Sequence, residues 1–298
     1  VGKIERAVAE KTGFAVGTPL CMGAGDQNCS VLGMGAIQPG LATVTLGTAG
    51  LAILATERPL AGFGGMMITH HAVPGMWEVE GLSNAAAASL RWYRDVIGTS
   101  EKQRAAAGGR DAYEQLDELA ATAPPGSRGL LYLPYLATAA TPRWNPQARA
   151  AFVGLSFAHG RAEMTRAVME GVVLEIRDMF EQWTSAGLSV RSLRIAGGAT
   201  RSRLWNQIQA DVYGRPVETL RVGESTVLGA AILGGVGAGV FASLQEGVAA
   251  MVHVAERIEP DPQCHRRYEQ LYHAYAQAYE GLSSSGAFDS LARIQAES

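Results

Sequence analysis

Residues 21–50, CMGAGDQNCSVLGMGAIQPGLATVTLGTAG, constrain the fold more than any other stretch of the chain. A Gly23-Ala24-Gly25-Asp26-Gln27 turn leads into a small-residue run, 26–35, whose Val31, Leu32 and Met34 predict a helix packed through that side. Residues 41–46 and 51–55 alternate and are rich in Val, Thr and Leu, so they predict a β-hairpin turning at 47–50. A carboxylate at the mouth of a strand, followed by a bend that Gly47 and Gly50 leave bare, suits a base placed beside a phosphate cradle.

Downstream, strands and helices alternate. Short strands are predicted at 19–22, 66–69, 76–79, 191–195 and 216–220. Helices are predicted at 1–16, where Val1, Ile4 and Val8 recur, and at 84–97, with Leu90, Tyr93 and Val96 inward. Further helices are predicted at 110–121, 202–213, 226–237, 244–254 and 265–282, with a loosely held tail at 283–298. The longest is 161–185, where Met164, Val168, Val172, Ile176, Met179 and Trp183 form one stripe and charged residues fill the other faces. Alternation after a hairpin-rich start indicates an α/β layered domain.

Composition narrows the chemistry. A formal net charge of −3 with scattered Lys and Arg offers no surface for nucleic acid or an anionic membrane. No apolar run is long enough to span a bilayer. Three cysteines without metal spacing fit a reducing compartment, which points to the cytoplasm. His70 and His71 are adjacent and point to opposite sides of a strand, so no shared metal is expected there.

Each motif has a plain structural alternative. Asp26 serves equally as a helix N-cap. Leu46-Gly47-Thr48-Ala49-Gly50 is either a phosphate-binding bend or a simple turn, and it lacks the lysine of a P-loop. Ala196-Gly197-Gly198-Ala199, between a strand and a helix, either lets a flat ring lie on backbone or allows tight strand–helix packing. Glu80-Gly81 with 84–92 either walls a nucleotide pocket or is an ordinary amphipathic segment.

In combination, GAGDQ at 23–27, LGTAG at 46–50, EGLSNAAAASLRWYRD at 80–95, IAGGATRSRLWNQIQADVYGRPV at 195–217 and GAAILGGVGAG at 229–239 resemble the C-terminal half of the FGGY carbohydrate kinases. The resemblance covers nearly the whole chain and is to a xylulose kinase-like sugar kinase. It implies an actin-like, ribonuclease H-like α/β fold, a mixed sheet flanked by helices, with residues 1–298 forming the C-terminal nucleotide-binding domain. It implies ATP and Mg²⁺ as cofactors and a sugar or polyol, such as the pentuloses xylulose and ribulose, as acceptor. Asp26 then matches the general base and Gln27 a sugar contact. Gly47 and Thr48 match the contacts to the β- and γ-phosphates, Ala87 and Arg91 line the nucleotide, and Gly197, Gly198, Ala199 and Ser202 match the adenosine motif.

Three departures stand out. Family members carry a first phosphate loop in an N-terminal domain, and none precedes residue 23 here. The resemblance therefore implies that such a domain, in cis or as a partner chain, completes the enzyme, with a homodimer as a further association. Residues 137–142 read Ala-Thr-Ala-Ala-Thr-Pro where xylulose kinases usually carry Gly-Glu-Arg-Thr-Pro, and Ala87 and Arg91 stand where glycine and glutamine are frequent. Two rival readings remain at this stage: a non-catalytic actin-like module that binds nucleotide without transferring phosphate, and a structural sheet domain with fortuitous glycines.

Overall fold

The computed structural model describes residues 2–60 and 64–297. Val1 and Ser298, at the ends of the predicted first helix and tail, lie outside the described residues. In chain order the elements are β1 (Gly2–Lys3), α1 (Arg6–Thr12), β2 (Pro19–Leu20), α2 (Asp26–Gly33), β3 (Leu41–Leu46), β4 (Gly50–Thr56), β5 (Met67–His70), β6 (Trp77–Ser83), α3 (Ala86–Val96), α4 (Thr99–Ala106) and α5 (Ala112–Ala121). They continue with β7 (Leu131–Leu133), β8 (Ala151–Val153), α6 (Arg161–Ser185), β9 (Ser192–Ala196), α7 (Arg203–Tyr213), β10 (Val217–Leu220), α8 (Ser225–Gly237), α9 (Leu244–Met251), β11 (Val254–Ile258), α10 (Pro262–Ser284) and α11 (Ala287–Ala296).

Seven strands form one mixed sheet in the order β11-β10-β9-β3-β4-β6-β5. β3, β9 and β10 run parallel, and β4, β6, β5 and β11 join antiparallel. The two-residue period of the strands sorts their side chains into two layers. Val44, Leu46, Ala52, Leu54, Leu193 and Ile195 face the large core that also holds α6 and α7. Ile53, on the other face, packs with Val31 of α2 and with Ala36, while Leu32 meets Leu228 and Ile232 of α8. Helices thus flank a mixed sheet on both faces, in the actin-like architecture the motifs implied.

α2 and α8 touch through backbone. A Cβ on Gly33 would lie 1.8 Å from the Ser225 carbonyl oxygen, and one on Gly229 would lie 1.8 Å from that of Cys29. Only glycine permits this approach, and the Ser30 and Ser225 hydroxyls hydrogen-bond across it at 2.8 Å.

Several sequence expectations are corrected. The long helix α6 has its predicted bounds, but its other faces are not solvated: Arg166, Glu170, Glu175, Arg177 and Asp178 are buried. They survive burial through partners, Arg166 with Glu170 at 2.8 Å and Arg143 with Asp178 at 2.8 Å. Val96 is exposed rather than inward, because α3 ends there. The first helix is shorter than predicted, Arg6–Thr12, and buries nothing. β11 replaces the end of the predicted 244–254 helix; it is exposed along most of its length, so no burial pattern marked it. α4 was not predicted, because its polar sequence has no apolar stripe.

The tail expected to be loose is helical. Its Phe288 is buried, with its ring centroid 5.6 Å from that of Tyr279, and burying such a ring contributes about 2–3 kcal/mol. α10 begins at Pro262, three residues before the predicted start, because the Asp261 carboxylate caps it by accepting from the Gln263 and Cys264 amides.

Candidate active site

The hairpin bend at 47–50 docks on the start of α3. The Ala87 amide donates to the Gly47 carbonyl at 2.9 Å, and the Ala88 amide to the Thr48 carbonyl at 3.4 Å. A trans peptide sets its N–H opposite its C=O. Turning the Gly47 and Thr48 carbonyls onto α3 therefore turns the Thr48 and Ala49 N–H groups away from it. Thr48 is exposed and Ala49 half-buried, so two adjacent donors and one hydroxyl are presented together. This is the arrangement of a small anion nest.

The turn after β9 abuts the same bend. β3 and β9 are parallel neighbours, with Thr45 opposite Ala196. Gly197 has φ +90°, and its bare Cα lies against the Leu46 carbonyl. Gly198 is open, with nothing within 4 Å of an added Cβ. The turn is held from within: Thr200 Oγ1 donates to the Gly197 carbonyl at 2.8 Å, and Asn206 Nδ2 to the Thr200 carbonyl at 2.9 Å.

Of the residues predicted from sequence, Gly47, Thr48, Ala87, Gly197 and Gly198 therefore meet at one end of the sheet. Arg91 is exposed one turn beyond Ala87 on the same helix face. Ala199 and Ser202 are buried, and Ser202 Oγ caps α7 by accepting from the Trp205 amide at 3.0 Å. Asp117 of α5, its pKa raised chiefly by burial, lies close to the same hydroxyl. Ser202 thus orders the turn from behind it.

Asp26 stands on the other layer. Gly25 is the N-cap of α2, so Asp26 is the first helical residue, not the cap. Its carboxylate is exposed, accepts from the Gln27 amide at 2.9 Å and adds favourable negative charge to the first turn. Gln27 beside it is half-buried. The link from Asp26 to the hairpin runs through β6. Glu80 has its pKa raised by burial first and by the Asp26 charge second. Glu80 lies three strand positions, about 10 Å, from Ser83, which pairs with Gly50.

Sequence reasoning missed the polar cluster beneath Asp26. Glu78 is buried, and desolvation pushes its pKa up to about 7, with its Asn28 hydrogen bond opposing and the Glu80 charge adding. Asn28 Nδ2 donates to Glu78 Oε2 at 3.0 Å and to the His70 carbonyl at 2.7 Å. His71, also buried, has its pKa lowered chiefly by desolvation, so its 3.7 Å approach to Glu78 is not a strong ion pair. The signal was present in Trp77-Glu78-Val79-Glu80, two carboxylates one period apart on one strand face. The possible pocket wall at Glu80-Gly81 is not one: Glu80 faces α2, and Gly81 packs on Met179 of α6.

Among the described residues, no group of three or more His, Cys, Asp or Glu is placed to hold a metal ion, and no helix is long and apolar enough to cross a membrane.

Comparison with known proteins follows the same residues. The model of the FGGY family of carbohydrate kinases, C-terminal domain, matches residues 42–238. A xylulose kinase of Staphylococcus epidermidis is 31% identical over 281 residues, covering 94% of this chain and 55% of that protein. A gluconokinase of Bacillus subtilis is 33% identical over 265 residues, covering 89% of this chain and 52% of that protein. The crystal structure of xylulose kinase from Rhodospirillum rubrum superposes with a TM-score of 0.84 at 31% identity, over 95% of this chain and 55% of the other. The chain spans about half the length of the curated relatives it matches.

Proposed function

The chain belongs to the FGGY family of carbohydrate kinases, and on that premise we propose that it is the nucleotide-binding part of an enzyme that moves the γ-phosphoryl group of ATP to a hydroxyl of a sugar or polyol. The observation that carries this reading is the pair of amides at Thr48 and Ala49, turned outward by the docking of Gly47 and Thr48 on α3. In this reading those amides and the Thr48 hydroxyl hold the terminal phosphates. The open backbone at Gly198, with Gly197, Ala87 and Arg91 around it, takes the adenosine.

Asp26 is the proposed base. It is exposed, and it accepts the proton of the acceptor hydroxyl as the phosphoryl group is transferred, with Gln27 orienting the acceptor. Mg²⁺ fits as a companion of the phosphates rather than of a protein cage, since magnesium characteristically relies on phosphate oxygens and water with only one or two carboxylates. A pentulose is the proposed acceptor, supported by the xylulose kinases among the relatives. The remaining sugar contacts are assigned to the half of those relatives that this chain does not span, supplied in cis or by a partner chain. The cytoplasm, where ATP is plentiful and thiols stay reduced, is the proposed location, consistent with three free cysteines.

Calorimetric titration of residues 1–298 with ATP–Mg²⁺ tests the nucleotide half of the proposal. Heat of binding that Thr48→Val weakens about tenfold, the cost of roughly one hydrogen bond, is expected. No heat and no thermal shift overturns it. Binding without transfer by the full-length enzyme, across a panel of ketoses and polyols, leaves the non-catalytic module as the better reading.

A further inference from the structure

The cluster under Asp26 contains a buried carboxylate oxygen with nothing to accept from. Glu78 Oε1 has no hydrogen-bond partner, and the side chain is fully buried. The nearest donor is committed elsewhere. The Val73 amide donates to His71 Nδ1 at 2.8 Å, which leaves the hydrogen of the neutral ring on Nε2, and His71 Nε2 donates it to the Ala36 carbonyl at 2.8 Å. Asn28 is held just as tightly. Its Nδ2 spans Glu78 and the His70 carbonyl, while its Oδ1 occupies the space beside Gly25, 2.8 Å from where a Cβ would stand. Asn28 is two residues from Asp26, within the first turn of α2.

We propose that Glu78 is a positioning residue for Asp26, fixing the first turn of α2 through the Asn28 amide that bridges it to the His70 carbonyl. Burial without a cation favours the protonated form of Glu78, against the pull of the Asn28 hydrogen bond. The titratable groups around it are Glu80 on its own strand and His71 from the segment after β5, with Asp26 of α2 acting on Glu80, while the residues paired with it on β4 and β5 are Ala55 and Thr69. Among the described residues, no lysine or arginine is ion-paired with Asp26, Glu78 or Glu80. Ionising Glu78 would bury a charge with one open lone-pair site beside the Glu80 carboxylate. The neutral acid keeps Oε2 as an acceptor for Asn28 and removes that repulsion.

The relevance to turnover rests on Asp26 being the base; the relay itself does not. It is therefore tested without sugar or nucleotide, by ¹H–¹⁵N spectra of the chain between pH 5 and 9. The Asn28 side-chain amide and the Gln27 backbone amide are expected to shift together with a midpoint near 7. Glu78→Gln, a permanent mimic of the acid, is expected to abolish that transition. Asn28→Ala is expected to uncouple Gln27 from it, which keeps the test sharp should Glu78→Gln fail to fold. An Asn28 amide that stays flat over this range, a transition that survives in Glu78→Gln, or a Gln27 signal of unchanged amplitude in Asn28→Ala overturns the proposal. Failure of Asp26 as a base leaves these spectra unaffected.

Discussion

A Cβ built on Gly197 would stand 2.5 Å from the carbonyl oxygen of Leu46, so the turn after β9 and the end of β3 meet backbone to backbone. That contact joins the two glycine bends that the sequence keeps about 150 residues apart. It also leaves the neighbouring Gly198 free to face a ligand rather than the protein.

The two adjacent glycines should therefore respond differently to the same change. Gly197→Ala places a methyl against backbone at a φ of +90° and is expected to cost about 2–4 kcal/mol of stability. Gly198→Ala meets nothing within 4 Å and is expected to cost under about 1 kcal/mol, while reducing the heat of ATP–Mg²⁺ binding. Urea unfolding and calorimetry on both variants check this; equal destabilisation refutes it.

The glycine contact between α2 and α8 makes a second prediction. Gly33→Ala and Gly229→Ala each drive a methyl to 1.8 Å from a carbonyl oxygen of the opposite helix. Neither backbone can rotate out of the way, so each is expected to cost about 3 kcal/mol or more. The Ser30–Ser225 hydrogen bond should be lost with it. A melting temperature within a few degrees of the unmodified chain in either variant contradicts this.

Buried acids set the expected pH dependence. Glu175, which accepts from Ser83 Oγ at 2.5 Å, has its pKa raised by burial to about 8, and Glu78 is raised to about 7. In the unfolded chain both titrate near 4.5. Between these limits the folded state binds more protons than the unfolded state, so stability is greatest at the acidic end and falls as pH rises to about 8. Glu175→Gln should flatten the part of that fall that extends beyond the Glu78 transition. Chemical denaturation at pH 5, 6.5 and 8.5 tests it, and an unchanged slope in the variant rules Glu175 out as its source.

Asp26→Asn in the full-length enzyme is expected to lower kcat by about 10²–10⁴-fold while ATP binding persists. The side chain is exposed, and its recorded hydrogen bond is to the Gln27 amide, so folding should be little affected. Near-normal turnover would remove Asp26 from the role of base.

Much of the architecture was legible because it follows local rules. The 47–50 hairpin and the α6 bounds come from period and turn residues within a few positions. The elements that were missed lack such signals: α4 has a polar sequence, and β11 is an edge strand exposed along most of its length. Phe288 gave no warning either, since one aromatic residue in a Ser-rich tail acquires its burial from Tyr279.

The sequence by itself determined the family, the alternation of strands and helices, and the glycine bends at 47–50 and 197–198, because these depend on residue types at short spacing. Tertiary structure alone decided which way the Thr48 and Ala49 amides point, that Ser202 supports the turn from behind, and that Glu78 lies buried beneath Asp26 without a cation. Those outcomes depend on which backbone group or carboxylate finds a partner across the sheet. Residues 42 and 50 positions apart in the chain settle that for Glu78, through Asn28 with His70 and Asn28 with Glu78.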